Sequence, residues 1–256
     1  MRRSGLWRVG AAAVAAVIVA EAAVWLLRPR DGGIEPASVR ESDYFSEAQL
    51  ERARAEVLEL GELAGVDIGE VYRVDASRRS TALNAYVDGI GPTKRVVLYD
   101  NLLAGVERPA LRSVVAHELA HVKHRDILRG MAWVALVAPL ALVFVWELGS
   151  RLARKSGADP GTPAALPAFA VALTVATFVL GLVGNQLSRE VEESADTFAL
   201  ELTDDPDALI DLQRRLAVAN VGDPDPPGIV TNLLRTHPPT IERIGAAEAW
   251  REGERP

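Results

Sequence analysis

Cysteine is absent from the 256 residues. No disulfide can form, and no thiolate can bind a metal. Any metal centre must be built from imidazole and carboxylate groups, and histidine is scarce too, with four in the chain. A basic excess is also missing, since the formal net charge is −7. Without a positive field the chain is a poor partner for a phosphate backbone, so no nucleic acid is expected. The lack of cysteine does not fix the compartment, because cytoplasmic and exported chains can both do without disulfides.

What the chain does have is hydrophobic residues, 49% of the total, gathered into three long runs. Residues 1–8 are a short tail carrying Arg2, Arg3 and Arg8. Residues 9–27 are apolar except for Glu21 and are long enough to cross a bilayer core. They read as an uncleaved anchor, since the apolar stretch runs on through Val24, Trp25, Leu26 and Leu27, past the weak Ala20-Glu21-Ala22 cleavage pattern. Residues 28–43 are a polar linker. The second and third runs, 130–148 and 164–187, are separated by a polar loop at 149–163 and form a hairpin within segment 130–187. Pro139 would kink the first of these spans without excluding it. The chain is thus expected to be an integral, multi-pass membrane protein in contact with a lipid bilayer.

Between and after these runs lie two soluble parts, 44–129 and 188–256. The spacing of Leu50, Ala53, Val57, Leu58 and Leu60 predicts an amphipathic helix from Ser46-Glu47 to Leu63, ended by Gly65. Residues 66–99 change to short β-branched and aromatic runs split by turn residues, which predicts a small antiparallel meander. The strand at Asn84-Ala85-Tyr86 is a candidate cleft rim, where an extended substrate backbone could pair. The segment from Asn101 to Gly130 reads as helical, with Pro109 suited to a first turn.

The chemistry lies in that segment. His117, Glu118 and His121 form the pattern H-E-x-x-H. Two imidazoles four residues apart share one helical face and can grip one ion, while Glu118 can reach a water bound to it. Three protein ligands and a water make an open, catalytic zinc site. The third ligand is expected after the hairpin returns the chain to the same membrane side. There Glu192 and Asp196 share one face of a new helix, residues 188–202. Glu192 completes a site of one Zn2+ per chain, and Asp196 accepts a histidine N–H and orients that ring. His124 lies close by but reads as a surface residue. Near the end, after a helix from Pro206 to Ala219, His237 and Arg243 are candidates to face the metal and stabilise an oxyanion.

Four blocks then match one family in order: LNAYVDGIGPTKRVVLYDNLL, VVAHELAHVKHRD, SREVEESADTFALELT and THPPTIERI. The chain resembles the integral-membrane zinc metallopeptidases that comprise the type I CAAX prenyl endopeptidases and the bacterial HtpX-like proteases. The resemblance implies a mainly α, zincin-type domain carried on three transmembrane helices. It implies His117, His121 and Glu192 as zinc ligands, Glu118 as general base, and roles near the site for Asn84, Asp196, His237 and Arg243. It also implies protein or peptide substrates. One apolar run precedes the H-E-x-x-H helix here, where HtpX-like proteins have two. Two other readings share these marks. One is a sensor-type membrane metallopeptidase with a regulatory role; the other is a non-catalytic membrane scaffold that keeps the fold. The cationic residues in the N-terminal tail and the 149–163 loop would put both in the cytoplasm, which makes the catalytic part exocytoplasmic.

Overall fold

A computed structural model describes residues 47–89 and 93–254. The expected tail, first span and linker (1–8, 9–27 and 28–43) lie outside the described residues.

Helix α1, Glu47–Ala64, ends at Gly65 as its sequence predicts. Gly65 has φ of +65°, the left-handed region that costs glycine least. Three strands follow: β1 at Glu70–Val74, β2 at Ala85–Asp88 and β3 at Arg95–Tyr99. The expectation of an antiparallel meander is corrected here. The strand order is β1-β3-β2, with β1 parallel to β3 and only β2 antiparallel to it. The reason is tertiary. Asp100, at the end of β3, accepts bonds from the Ala76 and Ser77 amides, 2.9 Å each. That pins the chain leaving β1 over the sheet and sends it to the far side of β3. β3 becomes the central strand, with Val96, Val97 and Leu98 fully buried. β2, the middle strand in sequence, becomes an edge in space.

The helical segment expected from Asn101 to Gly130 is divided among three helices: α2 at Asp100–Gly105, α3 at Arg108–Lys123 and α4 from Asp126 to Lys155. Pro109 sits in the first turn of α3 as predicted. The break at 124–125 uses no glycine. Arg125 takes φ of 58°, a left-handed conformation rare for a residue with a side chain. Sequence alone offers no breaker there; the reversal belongs to the packing of α3 and α4 against a common neighbour.

That neighbour is α5, Leu166–Thr203. The new helix expected at 188–202 is instead the continuation of the third apolar run. Its 38 residues rise about 57 Å. No proline or glycine interrupts it after Gly184, so the apolar half hands its direction to the polar half. Two helices among the described residues, Asp126–Lys155 and the one containing α5, are long and apolar enough to cross a membrane. They pack along one another, and Gly149 leaves room for the Phe169 ring, into which a Cβ would intrude. Pro139 lies inside α4 without ending it.

Helices α6 at Pro206–Ala219, α7 at Gly228–Leu234 and α8 at Thr240–Arg251 complete the fold. Asp205 caps α6 by accepting from the Ala208 amide at 2.9 Å. The soluble core joins Val57 and Leu60 of α1, Leu98 of β3, Val115 and Leu119 of α3, and Leu209 and Leu212 of α6. α3 is therefore held from α1, β2, α5 and α6 at once.

Candidate metal centre

His117 is buried and His121 half-buried on α3. Helical spacing brings their rings edge to face, with centroids 4.9 Å apart. The two Nε2 atoms lie 3.3 Å apart. From α5, Glu192 Oε2 comes to 3.3 Å of His117 Nε2, and Oε1 to 3.7 Å of His121 Nε2. One ligand atom from each residue falls within a 4.8 Å group. Residues 71 positions apart meet because the long helix carries Glu192 straight from the apolar hairpin to the face of α3.

The opposite sides of both rings are tied down. His117 Nδ1–H donates to Asp196 Oδ1 at 2.9 Å. His121 Nδ1–H donates to Asp126 Oδ2 at 3.0 Å. These partners assign the tautomers, so each Nε2 presents a lone pair to the centre of the group. Asp126 has no assigned place in the sequence pattern, yet the structure brings it to His121. It lies five positions beyond His121, off the helical face, and reaches the ring across the helix break at Arg125.

The same geometry tests whether a cation fits. With both Nδ1 protons given away, neither Nε2 has a proton to offer Glu192. Glu192 Oε2 is accordingly buried with no hydrogen-bond donor among the described residues. Buried acceptors facing one another cost free energy unless a positive charge sits between them. The electrostatics agree. Burial opposes charge on His117, yet the neighbouring carboxylates of Asp196 and Glu192 prevail and raise its pKa to about 9. Left to itself the site draws in a proton. Two imidazoles and one carboxylate are a donor set for a borderline-soft divalent ion such as zinc.

Glu118, the next residue on α3, points to the cleft side. Burial pushes its carboxyl above the ordinary range, while His117 and His121 pull the other way and the Val87 amide donates to it. A cavity of about 280 Å³ opens beside it, lined by Asn84, Ala85, His117, Glu118, Glu192 and His237 among others. Asn84 is exposed on this rim, and Ala85 and Tyr86 begin β2. The Tyr99 amide donates to Asn84 O at 3.1 Å. In an antiparallel ladder bonded positions alternate, so 84, 86 and 88 face β3. Ala85 and Val87 turn their backbone groups to the open edge, towards Glu118.

His237 Nε2 lies 3.5 Å from Glu192 Oε2 with the side chain largely exposed, so it does face the group. Arg243 lies differently from its expected place at an oxyanion. Its Nε and Nη2 donate to the two oxygens of Asp196 at 2.6 and 2.5 Å. Its charge is held on the Nδ1 side of His117, although the side chain also lines the cavity. His124 stays outside the group, 3.4 Å from Ser194 Oγ and stacked edge-on against Phe198.

The model for peptidase family M48 matches residues 47–251. The chain belongs to peptidase family M48. The M48 match spans all the described helices and strands and includes every residue of the metal group. Among relatives, a protein called uncharacterized metalloprotease YhfN, from Bacillus subtilis strain 168, is 32% identical over 199 residues, 76% of this chain and 47% of its own length. A protease HtpX homolog from Polynucleobacter necessarius subsp. necessarius strain STIR1 is 29% identical, covering 73% of this chain and 69% of its own. A CAAX prenyl protease 1 homolog from Taenia solium is 26% identical, covering 81% and 50%. The chain thus spans about half the length of two of these M48 relatives. The crystal structure of S. mikatae Ste24p superposes with a TM-score of 0.67 at 21% identity, covering 94% of this chain and 57% of that one. At that identity the likeness is one of fold.

Proposed function

We propose that this protein is a membrane-anchored, zinc-dependent endopeptidase acting on protein or peptide substrates. One observation supports the reading most. Two imidazole lone pairs and an undonated, buried carboxylate oxygen converge beside Glu118 at the free edge of a β-strand. In this reading His117, His121 and Glu192 hold one Zn2+, with Asp196 and Asp126 orienting the rings. When bound, the metal supplies Lewis acidity, polarising a carbonyl and acidifying water.

The chain's own groups do the rest. Glu118 accepts a proton from the attacking water and delivers it to the departing amine nitrogen. The Ala85 and Val87 backbone groups hold an extended substrate strand against β2, with Asn84 and Tyr86 at its flank. The His237 Nε2–H is the side-chain donor aimed at the developing oxyanion. Arg243 acts through Asp196: its guanidinium keeps that carboxylate ionised and in place behind His117. The presence of the full ligand set and of the base favours this reading over a non-catalytic scaffold.

The expected result is one zinc per chain by elemental analysis of the purified protein in detergent. Its removal by a chelator should abolish casein cleavage, and added zinc should restore it. A chain that cleaves casein equally well after verified metal removal would end the proposal.

The hairpin of α4 and α5 crosses the bilayer in this reading, and the C-terminal end of α4, next to the connection to α5, carries Arg151, Arg154 and Lys155. Those charges favour a cytoplasmic loop and an exocytoplasmic metal centre, although Lys123, Arg125 and Arg129 oppose them from the other end. A reporter enzyme active only outside the cytoplasm, fused after Pro256, should be active. Activity of a cytoplasm-only reporter at that point reverses the orientation.

A further inference from the structure

The short helix α7 differs from the other surface helices in what it shows to solvent. α1 exposes Glu51, Arg52, Arg54, Glu59 and Glu62. α7, GIVTNLL, has no charged residue, and it exposes Ile229 at 69% and Leu234 at 71%. Large side chains that stand out this far, on an element with no charge, mark a contact surface.

Its position says what the contact is. α7 is bonded to α5 at the point where the apolar run stops. Asn185 Nδ2 donates to Leu233 O at 2.8 Å. Arg189 Nη1, buried, donates to Thr231 O at 2.9 Å and Arg235 O at 2.7 Å. Leu166 to Leu187 rises about 32 Å, close to the roughly 30 Å of a bilayer core. Asn185 and Arg189 lie within about 3 Å of Leu187 along the axis. The carbonyls at the C-terminal end of α7 are thus taken by side chains of the spanning helix, as backbone groups near hydrocarbon require. α4 sets the same level, since Asp126 directly precedes Ile127, the first of its exposed apolar residues.

We infer that α7 is an interfacial foot, with Ile229 and Leu234 seated in the lipid headgroup and acyl boundary beside the hairpin. The occupant of this surface is the bilayer. Arg235 and His237 follow α7 directly, and both line the cleft, so the foot holds one mouth of the cleft against the membrane surface. Glu192 lies five residues beyond Leu187, about 7.5 Å along the helix, which sets the metal group at headgroup height. The inference rests on the reading of α4 and α5 as spans, not on the peptidase reading.

The absence of cysteine makes the test clean. Single variants Ile229→Cys, Leu234→Cys, Leu136→Cys and Asp225→Cys of the full chain are spin-labelled and reconstituted into phosphatidylcholine vesicles. Accessibility to oxygen is compared with accessibility to a water-soluble nickel chelate. Leu136, 67% exposed on α4, reports the span, and Asp225, exposed in the loop before α7, reports water. Labels at 229 and 234 should give an oxygen-to-nickel ratio several-fold above that at 225 and nearer that at 136. A lipid signal at 136 with water-like ratios at 229 and 234 overturns the foot alone and points to a protein partner for α7. A water-like ratio at 136 overturns the spans and the foot together.

Discussion

Glu118→Gln is expected to keep one zinc per chain and to lose casein cleavage by about 10²–10⁴-fold, the range a positioned acid–base group supplies. Gln matches Glu in size and can still accept from the Val87 amide, so the cleft and the ligand set should be unchanged. Only the capacity to take a proton from water is lost. The wild-type pH profile carries a second sign of the same group. Burial raises the Glu118 pKa, so its basic form is present above that raised value and disappears as pH falls through it. The acid limb of kcat/KM should then lie above the ordinary glutamate range, and Glu118→Gln should flatten it in the residual activity. Zinc bound at full stoichiometry with wild-type turnover in Glu118→Gln would remove the residue from the reaction.

Asp196→Asn should act on both metal binding and stability. The amide oxygen of Asn can still receive the His117 Nδ1–H, but the charge that balances Arg243 is gone. Arg243 has 13% of its side chain exposed and Asp196 has 5%. Leaving a buried guanidinium without its partner costs about 3–5 kcal/mol. Loss of the charged support behind a ligand lowers metal affinity by about 10–100-fold. Zinc titration and denaturant unfolding in detergent measure the two effects separately. The double variant Asp196→Asn with Arg243→Met should recover much of the stability, because no charge is left stranded, and little of the metal affinity. If the single variant binds zinc as the wild type does and unfolds at the same denaturant concentration, Asp196 and Arg243 are a surface-like pair with no bearing on the centre.

Local pattern carried a large part of this protein. A four-residue spacing on one helix obliges His117 and His121 to point the same way, and Glu192 and Asp196 obey the same rule on α5. Pro206 to Ala219 and the stop at Gly65 follow from capping chemistry within a few residues of each end. The four blocks that resemble the M48 proteins pointed to the family to which the chain belongs. Each of these rests on neighbours along the chain, where the helical repeat links sequence directly to direction in space.

Other features depended on contacts between distant segments. That β3 lies between β1 and β2 depends on Asp100 holding the loop at Ala76 and Ser77. The reversal at Arg125, which brings Asp126 to His121, has no glycine or proline to announce it. The direct passage of the apolar half of α5 into the half that carries Glu192 is invisible where composition changes from apolar to acidic. The place of Arg243 behind Asp196 could not be told from one in front of the cleft, because α8 sets it and nothing near it in sequence does. Residue types and their helical phase determined which groups could bind a metal and carry a proton. The tertiary structure alone decided which of them meet, because a contact across 71 residues is chosen by the packing of whole elements and not by the period of any one of them.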